Sequence, residues 1–278
     1  MTRQPAGVHA VLFEHDAEET GMASSHDARA SHGDKLFGDQ GLATTDPEFV
    51  EYFGTFAFGE VPAHGQLDER TRRLVVLAAL IGCQAHGQYP VALDAALDKG
   101  TTATEAKELV YQAVAYLGIG RVYDVLNATN AVLVGRGVQL PLPAQSTTTP
   151  GNQFEKGWEA QAAIVGADRL ASMHADAPAD ELHIQRWITA NCFGGHYTRT
   201  GIDLRTRELL TFVLLVAQGG CDPQVRGHVA GNLNMGNGRQ VLIDTLSQLA
   251  PYIGYPRTLN GLRAVDDVAP LPPADRPL

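Results

Sequence analysis

The sequence predicts an all-α protein built from two tandem helical-bundle repeats. Three observations predict it. Apolar residues recur at three- and four-residue spacings while strand-like alternation is scarce. One phrase of the chain returns later at a fixed distance. Glycine and proline punctuate the helical stretches at equivalent points in both copies. LDERTRRL at 67–74 returns as IDLRTREL at 202–209, so Asp68 and Asp203, Thr71 and Thr206, Arg72 and Arg207 stand 135 residues apart. Phe58-Gly59 and Phe193-Gly194 keep that offset. Further on the offset is 136, pairing Leu97 with Leu233, Gly100 with Gly236, Gln112 with Gln248, Tyr116 with Tyr252, Gly118 with Gly254 and Arg121 with Arg257. One residue of slack has entered between helices.

Within each copy the pattern reads helix, helix, glycine-terminated turn, helix, tight turn, helix. Asp68 and Asp203 are placed to cap free amide donors at the start of LVVLAALIGC and LLTFVLLVAQGG. Both segments are apolar on nearly every side, which demands burial on most faces. Neither half is large enough to supply that alone, so packing between repeats or between subunits is implied. Gly100 and Gly236 fit helix C-caps. Of the threonines that follow the first, Thr101, Thr102 and Thr104, the last has Glu105 and Glu108 behind it and suits the opening of the next helix. Gly118, Gly254 and Pro256 end helices after Tyr116 and Tyr252. Residues 154–165 and 180–191 are further helical stretches. The resulting division is a polar leader over 1–35 that demands no structure, a first repeat over 36–137, a linker rich in Pro, Thr and Gln over 138–152, a second repeat over 153–265 and a Pro-rich tail over 266–278.

Composition narrows the partners. Of 278 residues 44% are hydrophobic and 19% charged, as in a globular protein. The net charge of −10, from 31 acidic and 21 basic residues with no basic block, argues against nucleic acid and anionic membranes. Small molecules are the expected ligands. No stretch approaches the ~20 apolar residues of a membrane span, and the polar opening lacks the order of a signal peptide, which points to the cytoplasm. Cys83, Cys192 and Cys221 are odd in number and form no C-x-x-C pair, so they are expected as free thiols. His9, His15, His26 and His32 lack the paired spacing of metal ligands, and no metal is expected.

FGGHYTRTGIDLRTRELLTFVLLVAQGG, GHVAGNLNMG and QLAPYIGYPRTLNGLR resemble the carboxymuconolactone decarboxylase domain, and EAKELVYQAVAYLGIGRVYDVLNATN resembles it again. The resemblance covers residues 58–133 and 193–265. It implies the all-helical, ring-forming fold shared with alkylhydroperoxidase D-like proteins. Single domains of that fold assemble as trimers or hexamers, so a chain of two repeats is expected as a pseudo-hexameric homotrimer. It also implies two chemistries, between which only the site can choose.

The peroxidase branch of that superfamily uses a Glu, then C-x-x-C, then a His four residues beyond. Here Cys221 and His228 keep the frame, Gln224 replaces the second Cys, and Glu208 stands 13 residues before Cys221. Peroxide reduction by two cysteines needs a resolving thiol, which Gln224 does not supply. In the first repeat Arg73, Ala85 and Ala92 stand opposite Glu208, Cys221 and His228, which argues against a second, independent site. Decarboxylation asks for less: a stabiliser for the enolate and a proton donor, with no metal or organic cofactor. His228 is the candidate donor, Glu208 its orienting carboxylate, Arg207 or Arg199 the clamp for a substrate carboxylate, and His196, in the turn before the long helix, a ligand-facing group. The leading reading is therefore a cofactor-independent decarboxylase, or related lyase or isomerase, of a small lactone or keto acid. A thiol-dependent hydroperoxide reductase using Cys221 and a non-catalytic oligomeric binding protein are the alternatives. Structural roles stand beside each residue: Glu208 facing a helix dipole, His228 tethered between helices, Cys221 as a small buried hydrophobe, Tyr116 and Tyr252 in the core, and the arginines as surface or intersubunit groups.

Overall fold

A computed structural model describes residues 41–271. The polar leader and the end of the Pro-rich tail lie outside them. The described residues form helices and no strand. In the first repeat α1 spans Pro47–Gly54 and continues as a π-helical segment, Thr55–Glu60. It is followed by α2 (Glu69–Gly82), α3 (Gln88–Asp98), α4 (Ala103–Leu117) and α5 (Ile119–Gly135). In the second, α6 (Gln153–Val165), α7 (Ala167–Ala175) and α8 (Leu182–Trp187) lead into a π-helical segment, Ile188–Tyr197, and then α9 (Leu204–Gln218), α10 (Asp222–Asn234) and α11 (Arg239–Val268). The two π-helical segments occupy equivalent places ahead of α2 and α9.

Local chemistry sets the boundaries. Asp68 accepts the Thr71 amide at 2.9 Å, and Asp203 accepts that of Thr206 at the same distance, so both long helices start where an Asp caps them. The opening of α4 differs from the sequence expectation. Its cap is Thr102, whose hydroxyl accepts the Glu105 amide while the Glu105 carboxylate accepts the Thr102 amide at 2.7 Å. Thr102 with Glu105 has the three-residue spacing of a reciprocal capping box, which Thr104 lacks. Gly118 and Gly254 break their helices with nearly the same backbone, φ 77° and 76°, so α11 is two helices meeting at a kink.

The repeats do not fold as separate bundles. α2 and α9 lie against each other at the centre, α4 packs on α9 as well as on α2, and α11 packs on α2 as well as on α9. One hydrophobic cluster therefore contains Leu74, Leu77 and Ile81 of the first repeat together with Leu210, Phe212 and Leu214 of the second. This is how two nearly all-apolar helices find burial within one chain. At their crossing a Cβ on Gly82 would stand 2.7 Å from the Ala217 Cβ, so the approach requires glycine there. The linker is an ordered strap. Thr147 and Thr148 donate their hydroxyls to the Thr198 and Gly194 carbonyls, each at 2.8 Å, and Gln145 accepts the Thr200 amide at 3.0 Å.

A charged contact crosses the repeats inside this core. Glu108 of α4 is 1% exposed. It accepts two hydrogen bonds from Arg199 Nε, at 2.9 and 3.1 Å, one from Arg199 Nη2 at 2.9 Å, and one from Arg207 Nη2 at 2.9 Å. Removing one partner of a buried pair leaves the other charge uncompensated. Glu108→Gln is expected to destabilise the fold by about 3 kcal/mol in urea unfolding. Asp244→Asn, at the equivalent position of the second repeat, should cost less, because Asp244 faces the Gln66 amide and the Gln240 side chain rather than arginines.

Candidate functional site

The site is composite. The π-helical segment Ile188–Tyr197 presents Cys192, His196 and Tyr197, α9 presents Glu208 and Thr211, α10 presents His228, and α4 of the first repeat adds Gln112 and Tyr116. Glu208 is fully buried, and its two oxygens are divided between partners. Oε1 lies 2.7 Å from His228 Nδ1, and Oε2 accepts the Tyr197 hydroxyl at 3.0 Å. A Cβ on Gly231 would collide with Oε1, so α10 carries glycine where it passes the carboxylate. Asn232 of the same helix donates to the Glu208 carbonyl at 3.1 Å.

Proton counting orders the hydroxyls. Tyr197 has one proton, and donating it to Glu208 leaves the phenol oxygen to accept. It then accepts from Thr211 at 2.5 Å and from Tyr116 at 2.7 Å. Tyr116 in turn accepts from the Cys192 thiol at 3.6 Å, and Thr211 accepts from Gln112 Nε2 at 2.8 Å. Each hydroxyl and thiol donor in the network thus points toward the Glu208 carboxylate. An ionised Glu208 requires a proton on His228 Nδ1, which leaves Nε2 as the exchangeable position. The His228 side chain is 18% exposed, its Nε2 has no hydrogen-bond partner among the described residues, and the Tyr116 ring packs edge-on against it with centroids 5.5 Å apart.

The supporting groups hold their protons. Burial raises Tyr116 and Tyr197 well above the ordinary tyrosine value, and neighbouring Glu208 and Cys192 add to it. Burial pushes the Cys192 thiol up to about 11, against the Tyr116 hydrogen bond and with help from Glu208. Cys192 is therefore a thiol near neutral pH.

The other residues named from sequence fall in different places. Cys221 stands at the N-cap of α10, where its thiol faces the Leu215 carbonyl at 3.3 Å and accepts from the Gln218 amide at 3.4 Å. No hydrogen bond among the described residues joins it to Glu208 or His228. Arg207 is fully buried. Its guanidinium donates to Glu108, Gln112 Oε1 and the Ile202, Arg199 and Thr200 carbonyls, so it belongs to the frame rather than to a ligand. Arg199 is partly exposed beside the strap. His196 has a buried Nδ1 without a partner, and burial with Arg199 and Arg207 nearby depresses its pKa against the pull of Glu108. Sequence reasoning missed Cys192, Thr211 and Gln112, and it gave Tyr116 a core role. The signal for Gln112 and Tyr116 is their recurrence as Gln248 and Tyr252, which for the tyrosines points to the core. Among the described residues no cluster of three or more His, Cys, Asp or Glu is arranged to hold a metal. No helix among them is long and apolar enough to cross a membrane.

A doubled helical repeat with one buried carboxylate–imidazole pair is the class that fold and site define. The carboxymuconolactone decarboxylase family model matches residues 47–131 and 183–267, and the chain belongs to that family. A 4-carboxymuconolactone decarboxylase of Acinetobacter baylyi is 30% identical over 80 residues, 29% of this chain and 60% of the relative's length. A crystal structure described as a gamma-carboxymuconolactone decarboxylase subunit of Burkholderia xenovorans LB400 has a TM-score of 0.49 at 19% identity, covering 84% of this chain and 94% of that one.

His196 gives a pH prediction. Its folded pKa lies below the ordinary 6.5, so the stability tied to the neutral ring is present above that value and lost as pH falls through the folded one. In urea unfolding from about pH 7.5 to about pH 5, the stability difference between wild type and His196→Asn should therefore shift in favour of the variant. A difference independent of pH would refute the buried neutral imidazole.

Proposed function

We propose that the chain is a cofactor-independent decarboxylase, or a closely related lyase or isomerase, of a small lactone or keto acid, with His228 as proton donor. The observation that carries the proposal is the 2.7 Å contact between His228 Nδ1 and the fully buried Glu208. In the reaction the bond from the carboxylate to its α-carbon breaks, carbon dioxide leaves, and the electron pair passes into the conjugated carbonyl as an enolate. His228 Nε2 gives its proton to the carbon, and solvent restores it. Glu208 holds the ring through Nδ1 and fixes its direction throughout. Tyr116 and Tyr197 hold Glu208 and the imidazole in place while keeping their own protons.

The same observation favours this reading over a non-catalytic binding protein, which has no need of an imidazole joined to a buried carboxylate and left open at its other nitrogen. The peroxidase alternative has less support. Cys221 donates to a carbonyl, and Cys192, the thiol that meets the network, is kept protonated by burial. 4-Carboxymuconolactone, named in the Acinetobacter relative, is the first compound to assay. On the substrate turned over, His228→Ala should lower kcat by on the order of a hundredfold or more, while Tyr116→Phe should have a smaller effect. Turnover by His228→Ala at the wild-type rate would refute the assignment.

The proposal extends to a homotrimer of two-repeat chains, pseudo-hexameric in its repeats, acting in the cytoplasm. The support for assembly is an exposed apolar stripe at equivalent positions of both copies, Ile119 and Tyr123 on α5 and Tyr255 and Leu259 on α11. Light scattering on the purified chain is expected to return three times the 29.7 kDa chain mass. A monomer would count against it.

A further inference from the structure

A cavity lies away from His228. It measures about 360 Å³ and opens between α4, α5 and the strap, lined by Lys107, Glu108, Tyr111, Asn130 and Arg199 on one side and by the apolar strap residues 140–144 on the other. That volume suits a small organic molecule.

Its charges do not balance. Lys107 is only 8% exposed, yet its ammonium makes its hydrogen bond to a neutral group, Asn130 Oδ1, at 2.6 Å, and no carboxylate among the described residues pairs with it. Arg199 commits Nε and Nη2 to Glu108 and leaves Nη1 without a hydrogen bond. Glu108 is already shared with Arg207. Two guanidiniums, those of Arg199 and Arg207, thus share one carboxylate and the Lys107 ammonium has none among the described residues, inside a chain whose net charge is −10. The ammonium of Lys107 and the guanidinium of Arg199 both lie over the Tyr111 ring, 5.1 and 5.3 Å from its centroid. A buried, uncompensated cation is costly to a fold unless an anion completes it.

The fold does not require this arrangement. At the repeat offsets Lys107 corresponds to Ile243, Tyr111 to Ser247 and Arg199 to His64. The pseudo-equivalent site, made by α11 of the second repeat and the turn before α2 of the first, is built on the same scaffold with none of the three. The cations therefore belong to the cavity rather than to the scaffold.

We propose that this cavity binds a small organic carboxylate, its oxygens taken by Lys107 Nζ and Arg199 Nη1 and its apolar body covered by Tyr111 and the strap. Inorganic phosphate would satisfy the charge but leave the apolar wall unused. This site is separate from the one assigned to the reaction. His228 does not line it, and the path between them runs through Glu108, Arg207, Gln112, Thr211 and Tyr197.

Calorimetric titration of the full chain with benzoate, and separately with inorganic phosphate, tests the proposal. Wild type should bind benzoate saturably and more tightly than phosphate. Lys107→Met keeps the buried stem and removes the charge, and it should weaken benzoate binding about tenfold or more, as expected for a lost charge-assisted hydrogen bond. Ala144→Glu, on the exposed strap, places a repelling carboxylate at the cavity without touching the core and should weaken binding as well. His228→Ala should leave the isotherm unchanged. Absence of benzoate binding to wild type, phosphate binding at equal strength, wild-type affinity in both Lys107→Met and Ala144→Glu, or loss of binding in His228→Ala would each overturn it.

Discussion

The buried Glu108 carboxylate is the constraint on which the arrangement rests. A carboxylate cannot be taken from water without cations to receive it. Those cations come from the other repeat, so α4 can pack on α9 only when the turn from Arg199 to Arg207 is in place. Arg207 spends its remaining donors on the Arg199, Thr200 and Ile202 carbonyls, which ties down that same turn. Gln112, one helical turn beyond Glu108, then reaches the Arg207 carbonyl and the Thr211 hydroxyl. The geometry that joins the repeats and the geometry that positions Tyr197 and Glu208 therefore share one helix pair.

The pseudo-symmetry of the chain makes the chemistry of the site readable by contrast. Gln112 and Gln248 both donate across the repeats to backbone carbonyls, the latter to Val61 and His64. That is a scaffold role, used twice. Around them the copies diverge. At the repeat offsets Cys192, Tyr197, Glu208, Thr211 and His228 correspond to Ala57, Pro62, Arg73, Val76 and Ala92. The first repeat cannot assemble the hydroxyl network, although Tyr252 is present and half-buried, its pKa raised by desolvation to about 12. One backbone thus carries a hydroxyl network joined to a carboxylate–imidazole pair on one side and packing on the other.

How much of this was legible in the sequence follows from the range of each interaction. The caps at Asp68 and Asp203 and the breaks at Gly118 and Gly254 are local and could be read directly. The Thr102 cap could have been read from its spacing to Glu105. Glu208 and His228 lie 20 residues apart on consecutive helices, and the family frame brought them together. Glu108, Gln112 and Tyr116 lie 76 to 99 residues from their partners in the second repeat. No periodicity reports a contact at that distance. A repeated residue such as Tyr116 looks structural in sequence, because repetition cannot show that only one copy meets an imidazole. Arg207 was misplaced for the same reason, since an arginine at a helix start resembles a substrate clamp until its burial is known.

The two cysteines of the second repeat show why position in a sequence frame is not position in a site. Cys221 keeps the frame, but as the N-cap residue of α10 its sulfur turns back toward the end of α9 and meets the Leu215 carbonyl. Cys192 has no place in the frame, yet the π-helical segment brings it to Tyr116. A wider helical turn shifts the side chains that follow it around the axis, and such turns recur where a helix must redirect groups toward a site. Cys192 and Tyr197 then reach the same tyrosine hydroxyl while His196 faces the arginines. Because burial keeps this thiol and both tyrosines protonated, their hydrogen bonds run from Cys192 through Tyr116 to Tyr197, which alone of the three reaches Glu208, and none of them gains charge of its own. The donors of the network converge on Glu208, whose other oxygen meets the Nδ1 of the imidazole, so the ring is fixed on one side while Nε2 is left without a partner among the described residues.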